Sequence, residues 1–442
     1  MKNIKMSIQV IGKCPPLRLS VLYTLTVLLL CSLISIGFIL NSIDLRSVNT
    51  LFNQTVDMTL QHEHKNRVQH MKNMCKYLQS RVTRAKYKDE HQMHQIYTIN
   101  WKMAFCVIPK SGCSFQKQLV MYLNKPSMFI QDYNIGYEDK EQILNYLQSV
   151  QRDVFNIKRS KVHSLFFNPI KLTMDQFVQG RFRKVMTTRH PYSRLYSAYI
   201  DKFYIPVYQS LIRNDVHKIR QNKNPEKYRW NNITPCDTSN ISFEEFLEAI
   251  LLQAQRGEGD FHWLPITLLC EPCLANPDFI IKQESYHDDI QFVLEHMYIE
   301  PYQRQTIQSV LGKNGIQSNE ILYGLIITMI QRGLQFKGDC FTTYEIAKRV
   351  WSALKVQGQV YKYLPFPSKK LSGMKNMTIS AIATVFMMEM NKFQITAEES
   401  HRQRQRALVQ VYKNIRPDIL IKIQAMYYYD FMLFDYDLKP PS

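Results

Sequence analysis

Apolar residues are arranged along the chain in two patterns, short unbroken runs and stretches with helical spacing. From Trp101 onward the two patterns alternate, which favours an α/β fold with a central, mainly parallel sheet. Ser242 followed by Glu245 has the spacing of a capping box, so the sequence predicts a helix over Phe243–Gln253. The predicted strands are Met103–Ile108, Lys184–Thr188 and Phe279–Gln283.

The longest apolar run lies near the N-terminus. Residues 19–40 carry no charge and, as a helix, are long enough to cross the ~30 Å hydrocarbon layer of a membrane. Basic residues precede this run, so the positive-inside rule predicts a cytosolic tail over 1–18, a type II signal-anchor over 19–40 and a lumenal remainder. The polar residues 41–98 are predicted to form a stem, and residues 99–442 the lumenal domain.

The charge of the chain is strongly positive. Fifty-six Lys and Arg residues against 37 Asp and Glu residues give a net charge of +19, which favours a polyanionic partner. A lumenal domain argues against nucleic acid and leaves an anionic glycan or a membrane surface. Two basic stretches, 204–240 and 401–406, are interpreted either as solvated surface or as a rim that attracts an acidic polymer; the first is expected to be a surface insertion.

The cysteines and glycosylation sequons agree with a lumenal location. Cys14 and Cys31 precede or lie in the span, which leaves seven of the nine cysteines in an oxidising compartment, so at least one thiol is left without a partner in the chain. Cys270 and Cys273 lack a second pair, so structural disulfides of unknown pairing are favoured over zinc, and no metal is expected. The sequons are at Asn53, Asn232, Asn240 and Asn376.

A predicted strand, turn and helix surround Lys110. Pro109 ends the strand, Gly112 permits a tight turn, and helical spacing resumes over Phe115–Leu123. Free N–H groups at the start of such a helix point the same way and form an anion site, to which Lys110 adds a positive charge. This is not a Walker loop, because the lysine precedes the glycine. The free N–H groups of the predicted anion site are those of Ser111, Gly112, Cys113 and Ser114. An ordinary turn with an exposed lysine is the alternative interpretation.

A second predicted strand leads into a helix that begins at Pro191, a residue suited to the first helical turn. Arg189 at the strand end and Ser197 two turns along the helix are predicted to converge on one phosphate. Helical spacing places one set of residues toward the core, Tyr192, Leu195, Tyr196 and Tyr199, and another on a separate face, Arg194, Ser197 and Asp201. An amphipathic helix with a surface arginine is the alternative.

Together, Pro-Lys-Ser-Gly-x-Ser and the later Arg-x-Pro-x-x-Arg-x-x-Ser-x-Tyr resemble the two nucleotide-binding elements of sulfotransferases. Residues from about 100 to 440 are similar to the Golgi membrane-anchored carbohydrate sulfotransferases, the group that includes the chondroitin and dermatan 4-O-sulfotransferases. Further similar stretches are His262–Pro265, Leu269–Cys273, Phe279–Ser285 and Tyr428–Phe434. The resemblance implies a P-loop-like fold and the donor 3′-phosphoadenosine 5′-phosphosulfate (PAPS).

By matched position, the resemblance implies that Lys110 and residues 111–114 hold the 5′-phosphosulfate, that Phe115 lies near the adenine, and that Arg189 and Ser197 hold the 3′-phosphate. Lys110 is expected to stabilise the leaving oxygen during in-line transfer of a sulfuryl group without a metal. His262 is the candidate general base, because imidazole titrates near the working pH, with Glu284 and His190 as the other candidates.

The implied reaction is sulfation of a hydroxyl on a glycan, either a glycosaminoglycan or an N- or O-linked chain, anionic or neutral. The implied location is the Golgi membrane, and a homodimer is left open. The alternative from another class is a catalytically inactive lumenal protein that retains the fold and binds glycans or acts as a scaffold. A Golgi kinase or glycosyltransferase is a more distant alternative.

Overall fold

The computed structural model describes residues 45–78, 95–99, 102–132, 171–228, 236, 239–297, 299–311, 319–336, 338–374 and 377–442. The chain divides into two units, Met1–Gln61 and His62–Ser442. The predicted tail and membrane span, 1–18 and 19–40, lie outside the described residues. Among those that are described, no helix is both long enough and apolar enough to cross a membrane.

A sheet forms the centre of the larger unit, and its described strands have the order β3-β1-β2-β4-β5. Strands β2, β4 and β5 pair in parallel, whereas β1 pairs antiparallel with both β2 and β3. Only β1 therefore runs against the other described strands, and the predicted mainly parallel sheet is confirmed. The strands are β1 (Ile96–Ile99), β2 (Met103–Cys106), β3 (Lys171–Leu172), β4 (Arg183–Thr188) and β5 (Phe279–Lys282).

Helices surround this sheet. In chain order the described α-helices are α1 (Leu45–Leu78), α2 (Cys113–Asp132), α3 (Met174–Gln179), α4 (Pro191–Tyr199), α5 (Gln209–Lys223), α6 (Phe243–Gln255), α7 (Ile266–Cys270), α8 (Pro272–Ala275), α9 (Tyr286–Glu295), α10 (Pro301–Leu311), α11 (Asn319–Phe336), α12 (Thr343–Val356), α13 (Ser368–Ser372), α14 (Ile379–Met390), α15 (Ala397–Tyr412), α16 (Pro417–Met426) and α17 (Tyr428–Leu433). The predicted capping box is confirmed, because the Ser242 hydroxyl accepts from Glu245 N and the Glu245 carboxylate accepts from Ser242 N.

One hydrophobic core lies between the sheet and the C-terminal part of α1, from residue 62 onward. Alternate strand residues, such as Ala104, Met186 and Ile280, share it with Met71 and Leu78 of α1. A larger core joins α4, α5, α6, α11, α12, α14 and α16. The catalytic candidates described below come from loops and helix ends that these two cores hold in place.

The predicted stem, residues 41–98, differs from the structure. The larger unit begins at His62, so the C-terminal part of α1 and strand β1 belong to it. Arg67 donates to Asp289 at 2.5 Å and to Ile280 O at 3.3 Å. These contacts, with the buried Met71, explain why a polar helix packs on the domain.

The predicted basic insertion at 204–240 is also corrected. It contains α5, whose apolar residues Ile212 and Val216 are fully buried in the larger core. Its Arg220 pairs with Glu245 of α6 at 2.7 Å. A helix with a buried face and a neutralised arginine replaces the expected surface insertion, because the apolar residues of α5 recur at helical spacing.

Three disulfides link described parts of the chain that are distant in sequence. The pairs are Cys75–Cys273, Cys106–Cys270 and Cys236–Cys340. Cys113 is the free thiol among the described cysteines, as expected from the odd number of cysteines that follow residue 40. Cys270 and Cys273 pair with different partners. Cys14 and Cys31 lie outside the described residues.

Candidate active site

Strands β2 and β4 are parallel neighbours, so their carboxyl ends lie at the same edge of the sheet. The loop with Lys110 follows β2, and Arg189 follows β4. The Arg189 guanidinium donates from Nη1 to Lys110 O at 2.6 Å and from Nε to the Ser193 hydroxyl at 2.9 Å. The two predicted anion-binding elements are thus in direct contact on one side of the sheet.

The loop after β2 has two residues in the left-handed region of backbone conformation, Lys110 with φ 69° and Gly112 with φ 80°. A Cβ atom on Gly112 would lie 2.6 Å from Cε2 of Tyr286, so glycine is required there. Gln116 fixes the loop, since its amide donates to Ser111 O at 3.2 Å and accepts from the Thr187 hydroxyl at 3.1 Å. The backbone is therefore held before any ligand binds.

Ser111 has a polar side-chain atom that the described part of the protein leaves without a hydrogen-bond partner. Its residue is completely buried, and its hydroxyl finds no hydrogen-bond partner among the described residues. An unpaired buried hydroxyl is unfavourable unless a ligand or water pairs with it. In the loop that carries Lys110, this hydroxyl could pair with an oxygen of a bound phosphate or sulfate.

The Lys110 ammonium lies 2.9 Å from the carboxylate of Asp201. Asp201 belongs to a single π-helical turn, Ile200–Tyr204, that continues α4. Lys202 Nζ lies 3.4 Å from the same carboxylate oxygen, and Arg332 of α11 lies 3.7 Å from the other one. Burial would raise the pKa of Asp201, but these three cations lower it well below its usual range. One carboxylate thus faces three cations, and the site keeps an excess of positive charge.

His262 is joined to Asp260 through its Nδ1 atom at 2.5 Å, and its backbone N–H donates to the same carboxylate at 2.9 Å. A carboxylate at Nδ1 favours the tautomer that leaves the Nε2 lone pair free to accept a proton. Burial lowers the pKa of His262 to about 3; Lys202 and Lys110 lower it as well, whereas Asp260 opposes them. The imidazole is therefore neutral at physiological pH and belongs to the same charged cluster as Lys110.

Arg194 was predicted on a separate face of α4, yet it is 1% exposed and joins three segments. Its guanidinium donates to Pro109 O at 3.1 Å, to Leu264 O at 2.5 Å and to Phe261 O at 2.9 Å. The charge of Arg194 is thus used inside the protein. It fixes the start of the Lys110 loop relative to the segment that carries His262.

The other predicted donor-site residues lie around this loop. Ser197 is half-buried on α4, one turn beyond Ser193, and it is Ser193 that contacts Arg189. Cys113 and Ser114 form the partly buried start of α2. The ring of Phe115 lies edge-on to Tyr286, with ring centroids 6.2 Å apart.

Glu284 and His190 lie next to Arg189. The Glu284 carboxylate accepts from His190 N and from the Tyr436 hydroxyl, both at 3.0 Å, so both of its oxygens are used within the protein. Burial lowers the pKa of Arg189 to about 10; Glu284 raises it, and Arg404 lowers it. Arg404 belongs to the predicted basic stretch 401–406 on α15, which therefore contributes positive charge at this end of the site.

Sequence reasoning missed five residues of the site. They are Ser193, Asp201, Lys202, Asp260 and Arg332. Two of them carried a local signal, because Ser193 lies one helical turn after Arg189 and Asp260 lies two residues before His262. The cluster around Asp201 depends on a π-helical turn and on a distant helix, which spacing alone does not reveal.

The predicted glycosylation sites are described only in part. Asn240 is exposed, and its side-chain oxygen accepts from Arg349 at 3.0 Å. Asn232 and Asn376 lie outside the described residues, and at Asn53 only the backbone is described. In the part of the chain that the structure describes, no group of three or more His, Cys, Asp or Glu side chains is placed to hold a metal ion.

Comparison with known proteins shows which sequences this chain resembles. Residues 93–320 match the model of the sulfotransferase family. Human carbohydrate sulfotransferase 9 is 29% identical over 220 residues, which are 46% of this chain and 42% of that protein. Mouse carbohydrate sulfotransferase 8 is 28% identical over 232 residues, 51% of this chain and 48% of that protein. For human carbohydrate sulfotransferase 10 the identity is 27% over 210 residues, 45% of this chain and 51% of that protein.

The chain spans about half the length of these relatives. No solved structure matches it. The family match covers half of the chain and includes both predicted anion-binding elements and His262. On this evidence, the chain belongs to the sulfotransferase family.

Proposed function

We propose that the protein is a carbohydrate O-sulfotransferase that uses PAPS to sulfate a hydroxyl of a glycan. The names of its relatives support a carbohydrate acceptor. The observation that carries the proposal is the contact between the two anion-binding elements, since Arg189 donates to the backbone of Lys110 itself. A nucleotide with phosphate groups at both ends can be held by two such elements that meet at one edge of the sheet.

The residues fit this donor. The 5′-phosphosulfate would be held by the Lys110 ammonium, the N–H groups at the start of α2 and the unpaired hydroxyl of Ser111. The 3′-phosphate would be held by Arg189 and by a hydroxyl of α4. Ser193 joins Ser197 as a candidate for that hydroxyl, because it already contacts the guanidinium.

In the proposed reaction the acceptor oxygen forms a bond to sulfur, and the bond between sulfur and the bridging oxygen breaks, so the leaving nucleotide keeps the electron pair. Lys110 stabilises the charge that develops on the bridging oxygen. The neutral imidazole of His262 takes the proton of the acceptor hydroxyl at Nε2. Asp260, bound to Nδ1, orients the ring and stabilises the imidazolium that results.

Transfer of labelled sulfate from PAPS to a panel of desulfated glycans tests the proposal. Replacing Lys110 by alanine should lower kcat by ~10² to 10³, because a preorganised charge at the leaving oxygen is lost. Arginine should restore little, since its planar fork differs from an ammonium in shape and reach. Lys218→Ala, an exposed lysine on α5, is the matched control and should leave kcat unchanged.

An unchanged rate in Lys110→Ala would remove this residue from the mechanism. Binding of PAPS by the wild-type protein without transfer to any acceptor would instead favour the alternative, an inactive glycan-binding protein that retains the fold.

We also propose that the protein is anchored in the Golgi membrane by residues 19–40 with its catalytic unit in the lumen. The three disulfides support an oxidising compartment, and the sequons allow N-glycosylation there. Protection of the C-terminus from protease in sealed microsomes, with a mobility shift on removal of N-glycans, is the expected result. Digestion of the intact C-terminus would place the domain on the other side of the membrane.

A further inference from the structure

Lys202 is an almost completely buried lysine to which the proposed reaction assigns no role. Its side chain is 4% exposed, and its ammonium lies 4.3 Å from the centroid of the Tyr208 ring. Burying an ammonium is unfavourable unless an anion pairs with it. The paired anion is Asp201, but Lys110 lies closer to the same oxygen of that carboxylate. The fold therefore keeps a positive charge here that its own carboxylate only partly neutralises.

The two ammonium groups converge on a single oxygen atom. Lys110 Nζ lies 2.9 Å and Lys202 Nζ 3.4 Å from Oδ2 of Asp201. Oxygens of carboxylates and of sulfonates are both anionic acceptors of similar size, so two ammonium groups that share one carboxylate oxygen can also share an anionic oxygen of a ligand that replaces it. The two lysines also influence His262, since each lowers its pKa.

We propose that Lys202 is a second catalytic lysine, which together with Lys110 binds the sulfuryl group while it is transferred. Asp201 holds both ammonium groups when the donor is absent. The inference rests on the proposed function and adds to it a residue that contacts the reacting group. The acceptor oxygen bonds to sulfur, the nucleotide leaves with the electrons of the broken bond, and the acceptor proton passes to His262. Lys202 stays protonated throughout.

The surroundings of Lys202 give the proposal a kinetic signature. The charged and titratable groups that face it are Lys110, Asp201, Tyr208, Asp260, His262 and Arg332. Burial, together with the neighbouring Arg332 and Lys110, lowers the pKa of Lys202 to about 8, although Asp201 acts to raise it. The ammonium is thus charged at neutral pH and loses its proton just above it. If Lys202 must be charged, kcat/KM falls on the alkaline side near pH 8.

Two ligands that differ only in the sulfonate provide the sharpest test. Calorimetry compares the affinity of PAPS with that of adenosine 3′,5′-bisphosphate for the wild type, Lys202→Met and Lys202→Arg. Lys202→Met should weaken PAPS binding by ~10- to 100-fold, the equivalent of one charge-assisted hydrogen bond, and change bisphosphate binding by less than about 3-fold. The control, Lys218→Met, should bind both ligands as the wild type does.

Turnover supplies an independent readout. Lys202→Met should lower kcat by about 10² or more. Lys202→Arg should keep part of the activity and move the alkaline limb of kcat/KM to higher pH, because a guanidinium does not titrate in that range. Thermal unfolding of each variant shows whether it folds. If Lys202→Met does not fold, Lys202→Arg still tests the proposal, because it keeps the positive charge in place.

A purely structural role gives different results. In that case Lys202→Met weakens the binding of both ligands by the same factor, or Lys202→Arg leaves the alkaline limb of kcat/KM at its wild-type pH. Either result overturns the proposal. Absence of transfer by the wild type would refute the proposed function, but the comparison of the two ligands would still decide whether Lys202 contacts the sulfonate.

Discussion

Replacing Gly112 by alanine should distort the Lys110 loop in a way that can be measured. Gly112 has a φ of 80°, and an added Cβ would lie 2.6 Å and 2.8 Å from two carbons of the Tyr286 ring. The left-handed backbone costs an L-residue about 1–2 kcal/mol. Overpacking against a ring that also contacts Phe115 costs about 1–3 kcal/mol more. The free energy of unfolding should therefore fall by roughly 2–5 kcal/mol.

Gly338 provides a matched control. It also has a positive φ, 57°, but a Cβ atom there would meet no atom of the described residues within 4 Å. Gly338→Ala therefore measures the backbone strain alone, about 1–2 kcal/mol. Unfolding by urea with the disulfides intact should show Gly112→Ala to be less stable than Gly338→Ala by the ~1–3 kcal/mol of the collision.

The two alanine variants should also differ in their affinity for the donor nucleotide. Gly112→Ala moves the N–H groups that are proposed to hold the 5′-phosphate, so it should bind adenosine 3′,5′-bisphosphate weakly, whereas Gly338→Ala should bind it normally. Adding Tyr286→Leu to Gly112→Ala removes the ring and should restore part of the lost stability. Equal stability of the two alanine variants, with normal ligand binding by both, would show that the loop is not held against Tyr286 as described.

Three further predictions concern the residues around the site. Arg194→Met leaves three backbone carbonyls without their donor and should lower the free energy of unfolding by roughly 3 kcal/mol or more, measured by urea unfolding; a loss below about 1 kcal/mol would contradict the buried network. The pKa of His262 is about 3 in the folded protein and near 6.5 in the unfolded chain, so between these pH values the unfolded state binds one more proton. The free energy of unfolding should therefore fall as the pH drops from about 6.5 toward 3. His262→Gln should flatten that pH dependence. Cys75→Ser combined with Cys273→Ser should cost about 2–5 kcal/mol in thermal unfolding, and no change would argue against this disulfide.

Features encoded by neighbouring residues could be predicted from the sequence. The capping box at Ser242 depends on residues three positions apart, and the strand before Lys110 on one apolar run ended by Pro109. The convergence of Lys110 with Arg189 needed one further step, the rule that parallel strands bring their carboxyl ends to one edge. The strand ends moved by at most two residues, as at β2, which ends at Cys106 rather than Ile108.

The packing of helix α1 on the domain could not be predicted from the sequence, because few apolar residues recur at helical spacing along it. Residues 62–78 are mostly polar, and the contacts that hold them include a disulfide from Cys75 and a partly buried ion pair from Arg67 to Asp289. Both partners lie far along the chain. A polar helix held by a few distant contacts looks like a stem in any local pattern.

The cluster around Asp201 was missed for a geometric reason. Regular helical spacing carries α4 through residue 201 and groups Asp201 with Arg194 and Ser197. The π-helical turn has more residues per turn than an α-helix, so side chains beyond Tyr199 point in other directions than that spacing assigns. Such turns are frequent at functional sites, and here the turn brings both Asp201 and Lys202 to the Lys110 ammonium.

The ion pairs and hydrogen bonds of the structure show which of the positive charges behind the net charge of +19 are available to a partner. Arg220 of the predicted basic insertion forms an ion pair with Glu245, and the buried Arg194 donates its hydrogen bonds to backbone carbonyls. Neither side chain is therefore available to a partner. At the sheet edge, by contrast, Lys110 and Lys202 share one carboxylate in a largely buried position, where salt screens little. A concentrated, weakly screened excess of positive charge favours a compact ligand with several negative charges over an extended polymer. The charge that matters most for chemistry is therefore the small part held beside Asp201, not the total.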